Sequence, residues 1–248
     1  MNPFLLIDIS NSFTKWAWAD AAAIGAPHRF STPALQLRDL RALRAKNPSV
    51  RVVLSSVVPA KTALIRRVFG KNVFVLSGTH CPGLRVKYRN RRQIGADRLA
   101  NALAVRHHYG SPAVVIDFGT AVTFDILDAT GAYCGGVIAP GLNAMTDYLH
   151  EHTALLPRIT VREPRRAIAQ STEEAMRVGA VIGYRGLVRE ILGALRRELG
   201  SPKKLFVVAT GGHAELVARG FSEIQTVNPL LTLQGLHIMA LRQSGAGR

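Results

Sequence analysis

The sequence predicts an α/β protein made of two related halves. Short apolar or β-branched runs, such as residues 50–58 and 113–116, alternate with stretches of helical spacing, such as residues 60–69. This alternation is typical of sheets flanked by helices. The chain has 248 residues, which allows one large domain or two compact ones. The shift in composition near residues 110–112 is the best boundary between the halves.

The elements follow from apolar spacing, with proline and glycine marking their ends. The first half contains strands near 5–9, 13–18, 50–58 and 73–76, and helices near 35–45, 60–69 and 95–109. The second half contains strands near 113–116, 122–127, 133–138 and 205–209, and helices near 140–149, 172–199 and 230–241. Apolar and basic residues alternate at helical spacing along the whole of 172–199, which predicts one continuous helical stretch.

The composition is that of a folded protein with a large positive charge. Hydrophobic residues make up 48%, which excludes a disordered chain, and 32 Lys and Arg against 16 Asp and Glu give a net charge of +16. Such a charge suits a nucleic-acid surface, a site for a small anion, or a solvated arginine-rich face. Charge alone favours the last, and an aromatic content of 6% is low for base stacking.

The sequence indicates a soluble, cytoplasmic protein. The two cysteines, Cys81 and Cys134, are too few for a disulfide framework, and no Cys/His cluster suggests zinc. The first residues have no basic region before their apolar run, so they do not predict a signal peptide. No uncharged apolar run approaches the roughly 18 residues of a membrane span.

The two halves open with similar segments. Residues 7–14, IDISNSFT, align with residues 116–123, IDFGTAVT, at three identical positions of eight. An Asp at the end of a strand, followed by small and hydroxyl residues, can hold a cation while the turn cradles phosphate oxygens. For one turn alone, a hairpin with a capping Asp is an equal alternative. The pair favours a cleft for a nucleotide polyphosphate.

The two turns belong to a longer series of motifs along the chain. The motifs comprise 8–15 (DISNSFTK), 95–101 (GADRLAN), 117–125 (DFGTAVTFD), 135–141 (GGVIAPG), 153–157 (TALLP), 171–172 (ST), 210–212 (TGG) and 231–235 (LTLQG). In this order they resemble the type III pantothenate kinases, members of the acetate kinase/sugar kinase/Hsp70/actin superfamily. The likeness covers nearly the whole chain.

The resemblance implies a fold, a reaction and an assembly. The fold is two RNase H-like (actin-like ATPase) lobes, residues 1–111 and 112–248, with mixed sheets, flanking helices and a nucleotide cleft between them. The final helix can pack back on the first lobe. The reaction is transfer of the γ-phosphoryl group of ATP to pantothenate, the first step of coenzyme A biosynthesis. Members of the family are homodimers, so a homodimer is expected.

The resemblance also implies ATP-binding and cation-binding residues. ATP is expected at Asp8, Ile9, Ser10, Asn11, Ser12, Phe13, Thr14, Lys15 and Thr120. Asp8 would hold Mg²⁺ through water, because Mg²⁺ keeps several waters and takes few carboxylates. Asp117 would bind a monovalent cation, K⁺ or ammonium, with Asp125 as possible support. Lys15 would contact phosphate, although a surface lysine on an exposed strand fits it nearly as well.

By the same resemblance Asp97 is the general base of the reaction. Pantothenate is expected at Tyr88, Gly95, Ala96, Asp97, Arg98 and Thr172, with the Arg98 guanidinium on its carboxylate. Beside Arg98, Asp97 should stay ionised. The alternatives are a helix N-cap for Asp97 or Thr172 and an ordinary strand aromatic for Tyr88. Thr210-Gly211-Gly212 resembles the adenosine-side turn of the superfamily.

The sequence departs from the family at Ser10, and it leaves one alternative function open. Ser10 stands where the family usually has glycine, so it would strain the turn or crowd ATP if the position needs a positive φ or close phosphate contact. Otherwise its hydroxyl adds a donor. The alternative is a non-catalytic, regulatory protein of the same fold that contacts DNA. Nucleic acid is not the favoured partner.

Overall fold

The computed structural model describes residues 4–201 and 204–245, which form two compact units. The first unit contains the described residues up to Gly110, residues 131–135, and the described residues from Leu230 onward. The second contains residues 111–130 and 136–229. The outer bounds expected for the two lobes, residues 1 and 248, lie outside the described residues.

The first unit is built on a mixed sheet of five strands. Its elements, before the last helix, are β1 (Phe4–Ile9), β2 (Phe13–Ala19), β3 (His28–Ser31), α1 (Leu37–Lys46), β4 (Arg51–Ser56), α2 (Pro59–Phe69), β5 (Val73–Val75) and α3 (Ala96–His108). The strand order is β3-β2-β1-β4-β5. The first three strands are antiparallel neighbours, and β4 and β5 add in parallel.

The second unit has its own mixed sheet of five strands. Its elements are β6 (Ala113–Phe118), β7 (Ala121–Leu127), β8 (Tyr133–Pro140), which begins in the first unit, α4 (Leu142–His152), α5 (Thr172–Val178), α6 (Tyr184–Glu198), β9 (Phe206–Thr210), α7 (Ala214–Ala218) and β10 (Thr226–Val227). The strand order β8-β7-β6-β9-β10 repeats that of the first sheet, strand for strand. The predicted α/β class with two related halves is therefore confirmed.

The two faces of the first sheet have different covers. Leu5, Ile7 and Ile9 of β1 pack with residues of α1 and α2 in one buried cluster. Side chains alternate along a strand, so Phe4, Leu6 and Asp8 belong to the opposite face. Against that face pack α3 and the last helix, α8 (Leu231–Gln243), which contact each other extensively. Asp8, the predicted ATP and Mg²⁺ contact, and Asp97, the predicted base, thus belong to one side of the sheet.

The helical stretch predicted over residues 172–199 is confirmed from Thr172 to Glu198, but not all of it is α-helix. The structure has α5, one π-helical turn at Gly179–Gly183, and then α6. A π turn adds one residue to the ladder without changing the apolar character of the segment, so the spacing does not reveal it. Among the described residues, no helix has both the length and the apolar character needed to cross a membrane.

The two opening hairpins differ in length by one residue. In the first, Asp8 pairs with Lys15, whereas in the second Asp117 pairs with Thr123. The gapless alignment, which equates Thr14 with Thr123, is therefore wrong beyond the turn. Lys15 is the structural counterpart of Thr123.

Candidate active site

Asp8, the residue before the last of β1, is a buried carboxylate with a hydroxyl donor beside it. It is 7% exposed, and the Ser55 hydroxyl donates a hydrogen bond to its Oδ1 at 2.9 Å. Strand register places Asp8 opposite Lys15 on β2 and opposite Ser55 on β4. Side chains that are paired across strands project to the same face, so the three form one row across the sheet.

The turn after β1 is closed by Ser10. Its backbone N–H and its hydroxyl both donate to the Phe13 carbonyl, at 3.0 and 2.8 Å. Among the described residues only Ser201 is a non-glycine with positive φ, so Ser10 carries no left-handed strain. Serine in place of glycine at position 10 therefore does not strain the turn. The remaining question is whether the Ser10 side chain crowds the phosphates of ATP.

The predicted ATP segment divides between the two faces of the sheet. Ile9 is fully buried in the cluster with α1 and α2, and the Thr14 hydroxyl, 1% exposed, bonds Thr32 Oγ1 at 2.9 Å. These two side chains lie on the face opposite Asp8 and Lys15, because Ile9 pairs with Thr14 one step along the strands. Only their backbone atoms are available on the Asp8 side.

Asp97 lies in the first turn of α3, where Gly95 is the N-cap residue. Its Oδ1 accepts a hydrogen bond from the Arg98 backbone N–H at 2.8 Å. Burial raises the pKa of Asp97 above the usual carboxylate value, and this outweighs the Arg98 N–H and guanidinium, which lower it. Arg98 alone would lower this pKa, so burial reverses its effect, while the ionised state expected for Asp97 stays a prediction.

The N-terminus of α3 lies at the carboxyl end of β4. Residues 56–57, after Ser55, and residues 92–96 line one cavity of about 580 Å³, together with residues of α2 and 75–78. Because β1 and β4 are parallel, their carboxyl ends coincide. Asp8 and the helix start that carries Asp97 are thus at the same end of the first sheet.

The other pantothenate candidates occupy varied positions. Arg98 and Ala96 are buried at the start of α3. Tyr88 lies outside the strands, half-buried, with its ring 6.3 Å from that of Tyr133. The N-cap of α5 is Ser171, whose hydroxyl accepts from the Glu174 N–H at 3.3 Å, so Thr172 is an exposed first helical residue rather than the cap.

In the second unit Asp117 occupies the position that Asp8 has in the first. It pairs with Thr123 on β7 and Thr210 on β9, which puts hydroxyl-bearing residues on both sides of the carboxylate. Gly211 follows Thr210 in the chain and has a φ of +94°. A Cβ atom at Gly211 would lie 2.6 Å from Asp117 Oδ1. The glycine is needed for this packing against β6, whatever it does for a nucleotide.

The turn after β6 rests on the start of α4. Thr120 is exposed, and its carbonyl accepts the backbone N–H of Gly141, the N-cap of α4, at 3.1 Å. Asp125 is fully buried on β7, paired in register with Val115. The described residues contain no group of three or more His, Cys, Asp or Glu suited to a metal.

Sequence reasoning missed Ser55, Thr123 and Thr210 as neighbours of the two key carboxylates. Ser55 and Thr210 lie near the ends of strands parallel to β1 or β6, whereas Thr123 lies near the start of the antiparallel strand β7. A hydroxyl residue at the end of an apolar run, as in VVLSS and FVVAT, is the signal that would have pointed to them in the parallel strands.

Two five-stranded mixed sheets of the same order, flanked by helices, define the class of the actin-like and sugar-kinase ATPases. Comparison with solved structures supports this assignment of the fold. A Campylobacter jejuni protein described as belonging to the Baf family of transcriptional activators aligns at TM-score 0.66 and 18% identity, over 98% of this chain and 99% of its own. An inorganic polyphosphate/ATP-glucomannokinase from Arthrobacter aligns at TM-score 0.51 and 15% identity, over 98% of this chain and 100% of its own.

Sequence comparison narrows the class to one family. The model of the type III pantothenate kinases matches residues 4–194. Type III pantothenate kinases of Methylacidiphilum infernorum and Akkermansia muciniphila are 45% and 48% identical, over 95% and 96% of this chain and 87% and 98% of their own lengths. The chain belongs to the type III pantothenate kinase family, which confirms the resemblance found in its motifs.

Proposed function

We propose that this chain transfers the γ-phosphoryl group of ATP to the primary hydroxyl of pantothenate, giving 4'-phosphopantothenate for coenzyme A biosynthesis. Membership of the type III pantothenate kinase family supports the substrate and the reaction. The observation that carries the proposal is Asp97, a desolvated carboxylate at the start of α3 and at the same end of the sheet as Asp8.

Asp97 is proposed as the general base. It accepts the proton of the pantothenate hydroxyl as the oxygen bonds to phosphorus, and ADP leaves with the electrons of the broken bond. A base needs to be ionised in the resting enzyme and basic enough to take the hydroxyl proton, which becomes more acidic as the oxygen bonds to phosphorus. The raised pKa of Asp97 brings the carboxylate closer to the pH at which the enzyme works.

ATP is proposed to bind along residues 8–15 of the first unit, and the contact expected at Thr120 stays a separate prediction. The backbone of the turn after β1 and the Lys15 ammonium suit phosphate oxygens. Asp8 suits water-mediated contact with the Mg²⁺ that accompanies ATP, since its Oδ1 already accepts the Ser55 hydroxyl. The lack of a three-residue metal cluster among the described residues fits a cation held mainly by phosphate and water.

Asp117 is proposed to bind a monovalent cation, K⁺ or ammonium. Such ions take oxygen ligands, and Asp117 is flanked by two residues with hydroxyl oxygens, Thr123 and Thr210. Gly211 leaves Oδ1 of Asp117 room that a side chain would take. The donor set therefore consists of oxygen atoms throughout, with no nitrogen or sulfur.

Pantothenate is proposed to bind at the start of α3. The planar Arg98 guanidinium suits its carboxylate, and Gly95 and Ala96 provide a close backbone wall beside Asp97. Tyr88 and Thr172 are proposed as further contacts. Thr172 is exposed, so its side chain is accessible to a ligand or to a partner chain.

A homodimer formed through the second unit is proposed. Five of the six large apolar side chains that are exposed among the described residues belong to this unit, and they are Ile138, Tyr148, Leu155, Ile168 and Ile182. Exposed apolar side chains mark an interaction surface where they form one contiguous patch, and the second unit is where such a patch is expected. Light scattering should give twice the 26.9 kDa chain mass, and a monomer would contradict the proposal.

The reaction is tested by coupling ADP release to NADH oxidation, with K⁺ present and pantothenate added or withheld. Pantothenate-dependent ADP release is expected. Release without pantothenate would point to another kinase of the superfamily. If no ADP is released and the protein instead retains DNA with an affinity that falls steeply as salt rises, the regulatory alternative holds.

A further inference from the structure

Arg29 extends the row of polar residues on the first sheet to its edge strand. On β3 it pairs in register with Lys15, which in turn pairs with Asp8. The three side chains therefore share one face, in the order cation, cation, carboxylate. This is the face on which α3 brings Asp97 to the end of the sheet.

The position of the Arg29 side chain is set by Phe13. The guanidinium carbon lies 3.5 Å from the centre of the Phe13 ring, a close cation–π contact. Phe13 is 41% exposed, and its carbonyl accepts both bonds that close the turn at Ser10. The contact thus holds the exposed Arg29 at the phosphate-binding turn rather than free in solvent.

Neither cation of the row has an ion-pair partner in the described part of the chain. Arg29 and Lys15 form no ion pair with any carboxylate of residues 4–201 or 204–245. In the second unit the counterpart of Lys15 is Thr123, a neutral residue. Of the two phosphate turns, only the first carries a lysine in this row, and it has an arginine next to it.

We propose that Arg29 binds the triphosphate of ATP alongside Lys15. The guanidinium offers a planar fork of N–H donors that fits phosphate oxygens in bidentate fashion, and Phe13 pre-orders it at little further entropic cost. Asp8, at the other end of the row, then contacts the hydrated Mg²⁺ through water. This role rests on the proposed ATP-dependent reaction and adds a residue outside the motifs singled out in the sequence.

The test compares Arg29→Gln, Arg29→Lys and the control Arg51→Gln. Arg51 is an exposed arginine of the same sheet, at the opposite end of β4, so its replacement removes the same charge. Titration calorimetry with the magnesium complex of a non-hydrolysable ATP analogue measures affinity without turnover. Arg29→Gln should bind about tenfold more weakly or worse, since a hydrogen bond to a charged group is worth at least that much. Arg29→Lys should recover part of the affinity, and Arg51→Gln should bind as the parent does.

Kinetics separate this role from a structural one. In Arg29→Gln the KM for ATP should rise while the KM for pantothenate and the melting temperature stay unchanged, because Arg29 is exposed. Phe13→Leu should raise the KM for ATP by a smaller factor, and it serves as the second variant if Arg29→Gln fails to fold.

The outcomes distinguish the inference from the reaction it rests on. Unchanged affinity in Arg29→Gln, with a parent enzyme that phosphorylates pantothenate, overturns the role of Arg29 alone. A parent that binds the analogue without phosphorylating pantothenate overturns the proposed function, and the loss of affinity in Arg29→Gln then still supports the phosphate contact. A parent that does not bind the analogue overturns both.

Discussion

A Cβ atom at Gly95 would lie 2.5 Å from Oδ1 of Asp97, so the glycine provides the space that the carboxylate occupies. The backbone of Gly95, at φ −58° and ψ 140°, is open to any residue. Its role is therefore one of space rather than of conformation. This accounts for the glycine of the motif Gly95-Ala-Asp-Arg98. Gly95 is the N-cap of α3 and leaves room for the Asp97 side chain.

Replacing Gly95 with Ala should displace the Asp97 carboxylate and lower kcat by about 100-fold, the cost typical of a catalytic group misplaced by about 1 Å. Folding should persist, because the clash is with the end of a side chain. Gly186→Ala is the control, since a Cβ there meets nothing within 4 Å. In the double variant with Asp97→Asn, the alanine should add little further loss. Additive losses would show that Gly95 does not act through Asp97.

Asp97→Asn should lower kcat by about 10²- to 10⁴-fold, the usual contribution of a general base, with little effect on ATP binding. Steady-state kinetics and calorimetry measure the two effects. Glu215→Gln is the matched control, because it removes a carboxylate from the first turn of another helix, α7. Near-normal turnover in Asp97→Asn would disprove the assignment of the base.

The raised pKa of Asp97 predicts a stability cost at neutral pH. The folded protein holds the Asp97 proton more tightly than the unfolded chain, whose pKa is near 3.8. The contribution of Asp97 to stability therefore falls as pH rises through the folded pKa. Asp97→Asn should melt at a higher temperature than the parent near pH 7, and the difference should shrink towards about pH 4. A lower melting temperature for the variant at neutral pH would contradict this account.

The same shift sets the acid limb of the activity profile. Because the base must be ionised, kcat should fall as Asp97 becomes protonated, at a pH above its ordinary carboxylate value. A profile of kcat against pH locates this limb. A limb at or below pH 3.8 would show that burial does not govern the Asp97 titration in the working enzyme.

Asp117→Asn should abolish activation by K⁺ and raise the KM for ATP, because the carboxylate is the only formal negative charge in the proposed oxygen donor set. The comparison uses K⁺, ammonium and a bulky organic cation at equal ionic strength. The parent should respond to the first two only. Equal activation of parent and variant by K⁺ would place the cation elsewhere.

Ser10→Gly should raise the KM for ATP and lower stability by about 1 kcal/mol, since it deletes the hydroxyl bond to Phe13 and frees the turn. Thermal unfolding and ATP kinetics measure the two effects. A lower KM for ATP would show instead that the Ser10 side chain crowds the phosphates.

Regular elements were readable from the sequence where burial is strong. The β-branched run that became β4 and the spacing that became α2 were both found, because a buried core selects apolar side chains at the period of the element. The edge strand β3, with the sequence HRFS, was missed because three of its four residues are exposed and leave no apolar pattern. Arg29 was overlooked with it.

The site was predictable in its residues and less so in its geometry. The motifs singled out Asp8, Asp97 and Asp117, but spacing could not show that the first hairpin is one residue longer, which places Lys15 rather than Thr14 beside Asp8. Nor could the adjacent Arg98 reveal the Asp97 titration, because burial depends on packing from distant parts of the chain. Partners such as Ser55 come from strand pairing, which local sequence does not encode.

If this chain moves the γ-phosphoryl group of ATP to pantothenate with Asp97 as the base, that group must reach pantothenate only when the Asp97 carboxylate is present. The most direct measurement follows a labelled γ-phosphoryl group in parallel reactions of the parent, Asp97→Asn and Glu215→Gln. Labelled phosphopantothenate is expected from the parent and from the Glu215→Gln control, and almost none from Asp97→Asn. Label that remains in ATP or appears only as inorganic phosphate in the parent reaction would contradict this expectation.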